Sequence, residues 1–161
     1  MSITLATLAE ADLPACHALF VDAVHVLARR HYSEAQCTAW APPGPMPDTW
    51  RAAWARRLAC ATGFKAVEVD GVLAGFAWLS DDGEVDMLYV APHAAGQGVA
   101  SRLIAELERV AQQAGLSELS VYASHTARPV FERAGFVVES DHIAWRDGVA
   151  LDNWIMKKAL P

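Results

Sequence analysis

The stretch MLYVAPHAAGQGVASRLI, residues 87–104, joins an apolar strand to an amphipathic helix through a glycine-bearing turn. Gly96 and Gly98 remove side chains where a ligand would need close approach to the backbone. The N–H groups of residues 98–101 lack partners at the helix start, and the helix dipole there favours anions. A pyrophosphate is the natural guest. Just upstream, Glu84 and Asp86 stand two apart, so on a strand both carboxylates point to one face. A carboxylate placed there can serve as a general base, and the register does not choose between the two. The competing reading is a pair of solvated acids after the Asp82-Gly83 turn. Tyr32 and Trp40 flank a short helical segment before a proline loop. Their ring faces could hold an apolar or cationic amine, or simply close the core. No His/Cys/Asp set has the spacing of a metal site, so no metal is expected. Cys16 and His17 are sequential on a helix and diverge, which leaves a Cys–His nucleophile unsupported. A dinucleotide fingerprint also fails, because residue 101 is serine where a third glycine should stand.

These residues need positioning, and the periodicity supplies the elements. Residues 3–5 begin a short strand, and Leu13, Cys16, Phe20, Ala23, Val24 and Leu27 recur as one face of a helix. Arg29 and Arg30 suit its C-terminus. Ser33 with Gln36 forms a capping pair for a short helix, and prolines at 42, 43, 45 and 47 forbid regular structure after it. Asp48 opens another helix with Trp50, Trp54 and Leu58 on one side, an aromatic stripe that reads as core packing. The period then changes. Residues 65–69, 72–79 and 84–90 read as an antiparallel meander turned by Asp70-Gly71 and Asp81-Asp82-Gly83. Val99, Leu103, Leu107, Val110 and Ala114 stripe a long helix stopped by Gly115. Residues 119–122 form a strand and 128–134 a short helix, with Pro129 tolerated in its first turn. A hairpin of residues 136–145 and 149–156 turns about Asp147-Gly148.

At 161 residues the chain predicts one domain, 1–161, with no repeat and no interdomain linker. Thirteen basic against nineteen acidic residues give a net charge of −6, which argues against nucleic acid and for steering of cationic ligands. No apolar run approaches a membrane span, and the first residues lack the basic head of a signal peptide. Cys16, Cys37 and Cys60 have no framework spacing and read as reduced and packed, so a cytoplasmic location is expected.

Two motifs carry a resemblance. Ala95-Gly96-Gln97-Gly98-Val99-Ala100, after the LYV strand, resembles the acetyl-CoA motif Gln/Arg-x-x-Gly-x-Gly/Ala of the GNAT superfamily of N-acetyltransferases. SHTARPVFERAGF, residues 124–136, resembles the family's later signature, Asn-x-x-Ala-x-x-Leu-Tyr-x-x-x-Gly-Phe. Ala127, Gly135 and Phe136 match it, with Ser124 at the asparagine position and Phe131 at the tyrosine position. The resemblance spans the chain and is specific over residues 84–136. It implies an α/β (α+β) three-layer fold, a mostly antiparallel mixed sheet of seven strands flanked by four or five helices.

The resemblance implies acetyl-CoA as co-substrate and transfer of its acetyl group to a primary amine by direct attack in a ternary complex. The pantetheine arm would pair with the strand at Leu88, Tyr89 and Val90, and the pyrophosphate would sit on the amides of residues 96–101, Ser101 included. Ala95 departs from the pattern where a long side chain usually reaches the phosphates; Gln97 would substitute in part. Glu84 falls where some members place a general base, with Asp86 the alternative. With Phe131 in place of the tyrosine that often protonates the thiolate, Ser124 is expected to hydrogen-bond the pantetheine or sulfur, and Tyr122 is the lesser candidate. Phe131 itself would pack near the cofactor. Tyr32 and Trp40 lie in the region that covers the acceptor pocket. The expected acceptor is a small-molecule amine, and a homodimer is a common state in this family. Two other readings stay open at this level: a catalytically silent acyl-CoA-binding sensor, and a protein N-terminal or lysine acetyltransferase.

Overall fold

A computed structural model of the chain describes residues 2–161. Strand β1 (Ile3–Thr7) leads through a 3-10 turn into α1 (Leu13–Val26), then α2 (Glu34–Trp40) and α3 (Asp48–Ala59). The meander is β2 (Ala61–Glu68), β3 (Leu73–Ser80) and β4 (Val85–Val90). Helix α4 (Val99–Gln113), β5 (Glu118–Ala123), α5 (Arg128–Arg133), β6 (Val137–Arg146) and β7 (Val149–Ala159) complete the chain.

The strands form two antiparallel sheets, ordered β1-β2-β3-β4 and β5-β7-β6. Strand β2 begins at Ala61, earlier than the apolar pattern suggests, because Ala61, Thr62 and Gly63 are too small to announce a strand yet pair with Ser80, Leu79 and Trp78. Strand β7 runs past Met156 because β5 supplies a partner as far as Glu118↔Ala159. The β6–β7 hairpin turns with Asp147 at φ 48° and Gly148 at φ 73°, the positive pair that a two-residue turn with the strands' own twist requires.

The sheets meet at one point. Glu84 bridges Ser120 in parallel, and the Ser120 N–H donates to the Gly83 carbonyl at 3.0 Å. Among the described residues no ladder joins β4 to β5 beyond it. Two parallel strands that touch only at their start leave a wedge between their C-terminal ends. On one side of the first sheet α4 buries Val99, Leu103, Ile104, Leu107 and Ala111. Helix α1 lays Leu13, Cys16, Phe20 and Val24 into the core. The helical run Glu10–Arg30 is long and apolar enough to cross a membrane by length and composition, but this buried face is what its apolar residues serve here.

Trp54 is buried as the stripe predicts, while Trp50 and Leu58 are half-buried around it. Cys16 and Cys37 are packed, whereas Cys60 is exposed, contrary to the expectation for all three. Cys60 follows the last residue of α3, where the chain turns at the surface.

His17 is buried at 1% exposure among Phe20, Trp50 and Trp54, with ring centroids 5.7–5.9 Å away. Burial holds its imidazole below the usual pKa. Below about pH 6.5 the unfolded chain binds a proton here that the native fold excludes. The native state is therefore penalised as pH falls through that range, and the penalty is absent above it. His17→Leu should gain on wild type in thermal melts as pH is lowered from about 7.5 to about 5. A melting-temperature gap that stays constant over this range would contradict the assignment.

Candidate active site

Two cavities meet at the wedge. The first, about 530 Å³, runs along Leu88, Tyr89 and Val90 and over the turn at Ala95, Gly96, Gly98, Val99, Ala100 and Ser101. Its opposite wall is Ser124, Thr126, Ala127 and Val130, and Arg30, His31 and Arg133 stand at its rim. Gly98 precedes α4 at φ 82° with no side chain capping the helix. A Cβ added at Gly96 or Gly98 would meet nothing within 4 Å, so the space above the turn is open. A left-handed glycine opening a fifteen-residue helix presents the first-turn N–H groups to that space. The arrangement suits a pyrophosphate.

The second cavity, about 730 Å³, is lined by Glu84, Asp86, Met87 and Tyr89 of β4. An aromatic wall of Phe20, Trp40, Trp50 and Trp54 faces them, and Tyr122, His142, Arg146 and Asn153 close the other side. Trp40, Tyr89 and Ser124 line both cavities, which makes that junction the place where two ligands would touch.

The two acids differ sharply in state. The pairing Trp78↔Met87 is followed by Leu79↔Val85, so Asp86 is the extra residue of a β-bulge. Bulges re-aim side chains. Here Asp86 accepts from the Arg57 guanidinium at 2.9 and 2.8 Å and from the Trp78 indole at 2.8 Å. Burial alone would raise its pKa, but the bonds from Arg57 and Trp78, with the charge of Arg57, hold it below the usual carboxylate range. Glu84 moves the other way. Burial, then the charges of Asp86 and Asp82, push its carboxyl up. Asp86 is thus a committed anion, and Glu84 is the acid whose environment prepares it to exchange a proton.

The remaining expected residues divide. Tyr32 is buried with its hydroxyl committed, donating to the Asp152 carbonyl at 2.7 Å and accepting from the His125 N–H at 3.0 Å. Burial pushes this phenol up to about 12. It contributes a ring to the acceptor cavity, edge-on to Trp40 at 5.5 Å. Ser124 Oγ accepts from the Ala127 N–H at 3.0 Å, so it closes the turn that leads into α5, and its own proton is free to point into the junction. Tyr122 is half exposed, lies 4.7 Å from the His142 ring and borders the acceptor cavity only. Two residues are not where the motif comparison put them. Phe131 is 1% exposed, packs on Phe136 at 5.0 Å and borders neither cavity, because α5 turns it, the helix's one buried residue, into the core. Gln97 points back, its amide donating to the His93 carbonyl at 3.3 Å, and does not line the channel.

Sequence reasoning missed Arg57, the side chain of Tyr89, the cavity-facing edges of Trp50 and Trp54, and the rim cations Arg30 and Arg133. None carries a local signal, since each is defined by what folds against it. Burial pushes the Tyr89 phenol up to about 12, which keeps it a hydrogen-bond donor. Among the described residues no group of three or more His, Cys, Asp or Glu is gathered as a metal site.

Comparison with known proteins agrees with this geometry. Residues 28–158 match the acetyltransferase (GNAT) domain family. The chain is 36% identical over 141 residues to the "Uncharacterized N-acetyltransferase YafP" of Escherichia coli (strain K12), covering 87% of this chain and 85% of that one. It superposes on a GCN5-related N-acetyltransferase from Rhodopseudomonas palustris with a TM-score of 0.90 at 32% identity, over 99% of this chain and 97% of that one. The PaiA N-acetyltransferase of Thermoplasma acidophilum, solved in complex with coenzyme A, shares the fold at a TM-score of 0.77 and 19% identity, over 99% of each chain. The chain belongs to the GNAT family of acetyltransferases. It is an N-acetyltransferase, drawing its acetyl group from acetyl-CoA.

Proposed function

We propose that the protein acetylates the primary amine of a small molecule by direct attack in a ternary complex. The observation that carries this is the junction at Trp40, Tyr89 and Ser124, where a channel ending on an anion-binding turn opens into a separate aromatic cavity. The channel suits CoA: pantetheine along Leu88, Tyr89 and Val90, pyrophosphate on the first turn of α4, as the resemblance implies. That the Thermoplasma protein of the same fold was solved in complex with coenzyme A supports a CoA ligand. A cavity of about 730 Å³ is the size of a small-molecule site, and its rings suit an apolar or cationic amine.

In this reading Glu84 takes a proton from the ammonium form of the acceptor, directly or through a water. The neutral nitrogen then attacks the thioester carbonyl carbon. The oxyanion so formed collapses, the C–S bond breaks, CoA leaves as a thiolate, and the nitrogen sheds its second proton to the thiolate or to solvent, leaving the neutral amide. A thiol of pKa about 8.5 is a fair leaving group near neutrality, so a donor at the sulfur helps without being compulsory. Ser124 is the candidate donor, since Phe131 is out of reach. The experiment is thiol release from acetyl-CoA across an amine library. Release that depends on amine, with the N-acetyl product identified by mass, supports the reading; tight CoA binding with no amine-dependent release overturns it.

A further inference from the structure

The charges of the acceptor cavity do not balance as they would for a plain amine. Of its four charged residues, Arg57 and Asp86 neutralise each other through a two-pronged pair. Neither is left to recognise a ligand. Glu84, at the β4 side with its carboxyl beside that of Asp86, has no cation in an ion pair with it among the described residues. Arg146, on the last position of β6, is the unpaired base. Among the described residues its only side-chain hydrogen bond runs from Nη1 to the neighbouring Trp145 carbonyl at 3.0 Å, and no carboxylate forms an ion pair with it. Arg146 nonetheless lines the same cavity as Glu84 and Tyr89, so its guanidinium borders the space an acceptor would fill. A monocationic amine would satisfy Glu84 while adding a like charge beside Arg146, and repulsion of that kind lowers affinity.

We propose that the natural acceptor is amphoteric: an amine-bearing molecule with an aromatic or large apolar body and a carboxylate-class anion, the amine at Glu84, the anion at Arg146, the body on the wall of Trp40, Trp50 and Trp54. This rests on reading the cavity as the acceptor site. A guanidinium holds a carboxylate through paired N–H donors, which gives both orientation and affinity. The apolar wall supplies the rest of the binding and keeps water from the reacting nitrogen.

The test uses matched amines with and without a carboxylate: phenylalanine against phenethylamine, tryptophan against tryptamine, and 4-(aminomethyl)benzoate against benzylamine. The last pair covers a longer amine-to-anion span than the first two. Thiol release is measured for wild type and for Arg146→Gln. In the pair that fits the span, the carboxylated member is expected to show kcat/KM higher by about tenfold, and Arg146→Gln to collapse that ratio toward one. If every plain amine equals or exceeds its carboxylated partner, or if Arg146→Gln leaves the ratio intact, the inference is overturned. Arg146→Lys, which keeps the charge and loses the paired donors, should retain part of the preference, separating recognition from a folding defect. Absence of thiol release from all six amines, with CoA still bound, would count instead against the acceptor-site reading on which the inference stands.

Discussion

Glu84→Gln is expected to lower kcat by about 10²–10⁴-fold at neutral pH, the range of a lost general base. The amide keeps the size of the side chain and removes its ability to take a proton. The deficit should shrink as pH rises, because more of the acceptor is then already neutral. For wild type, activity should fall on acidification as Glu84 protonates, beginning at a higher pH than an ordinary carboxylate would give, since burial and the Asp86 and Asp82 charges raise its pKa. Asp86→Asn probes the same group indirectly. It removes one of those charges and frees Arg57, so the acidic limb of the profile should move to lower pH. Equal activity for Glu84→Gln and wild type at every pH would transfer the role to water or to the substrate. A limb that Asp86→Asn leaves in place would mean that the titrating group is not Glu84.

The second large effect is at the turn. Gly98→Val should weaken CoA binding by at least about tenfold, or roughly 1.4 kcal/mol, when measured by calorimetry. A Cβ added there would meet nothing within 4 Å beyond its chain neighbours, so the side chain starts into the open space assigned to the pyrophosphate. Gly98 sits at φ 82°, where a side chain itself costs about 1–2 kcal/mol of stability. A thermal melt reads that cost separately. Ala95→Arg provides the opposite sign without strain, because Ala95 is extended at φ −63° and ψ 143° and lines the channel. A guanidinium there should tighten CoA by up to about fivefold, as an exposed ion pair of roughly 0.2–1 kcal/mol allows. CoA binding unchanged by both substitutions would remove the turn from the site.

What the sequence discloses here is what is local. The CoA turn is legible because glycines, strand and helix lie within one short stretch, and the same holds for the turn chemistry of the meander and the final hairpin. Glu84 and Asp86 are legible as a pair for the same reason. Their division of labour is not, because Arg57 lies 29 residues from Asp86 and the bulge that turns Asp86 toward it appears only when β3 pairs with β4. Tyr32 is similar: its ring is expected near the acceptor, but its hydroxyl is committed to Asp152, 120 residues away. Phe131 shows the limit of a motif. The position aligns with a polar residue of the family, yet phenylalanine has nothing to place in a wet channel and goes to the core against Phe136. The wedge itself carries no sequence signal, since it consists of a ladder that stops after Glu84↔Ser120.

The most direct measurement of the central claim follows the acetyl group through one turnover. Acetyl-CoA labelled at the carbonyl carbon is mixed with excess enzyme and an acceptor amine, then quenched over time. Direct attack predicts that label leaves CoA and appears on the amine nitrogen in a single phase, at a rate that falls in Glu84→Gln, with none on the protein. Label retained on the protein, or thiol released in a burst before amine is added, would contradict it.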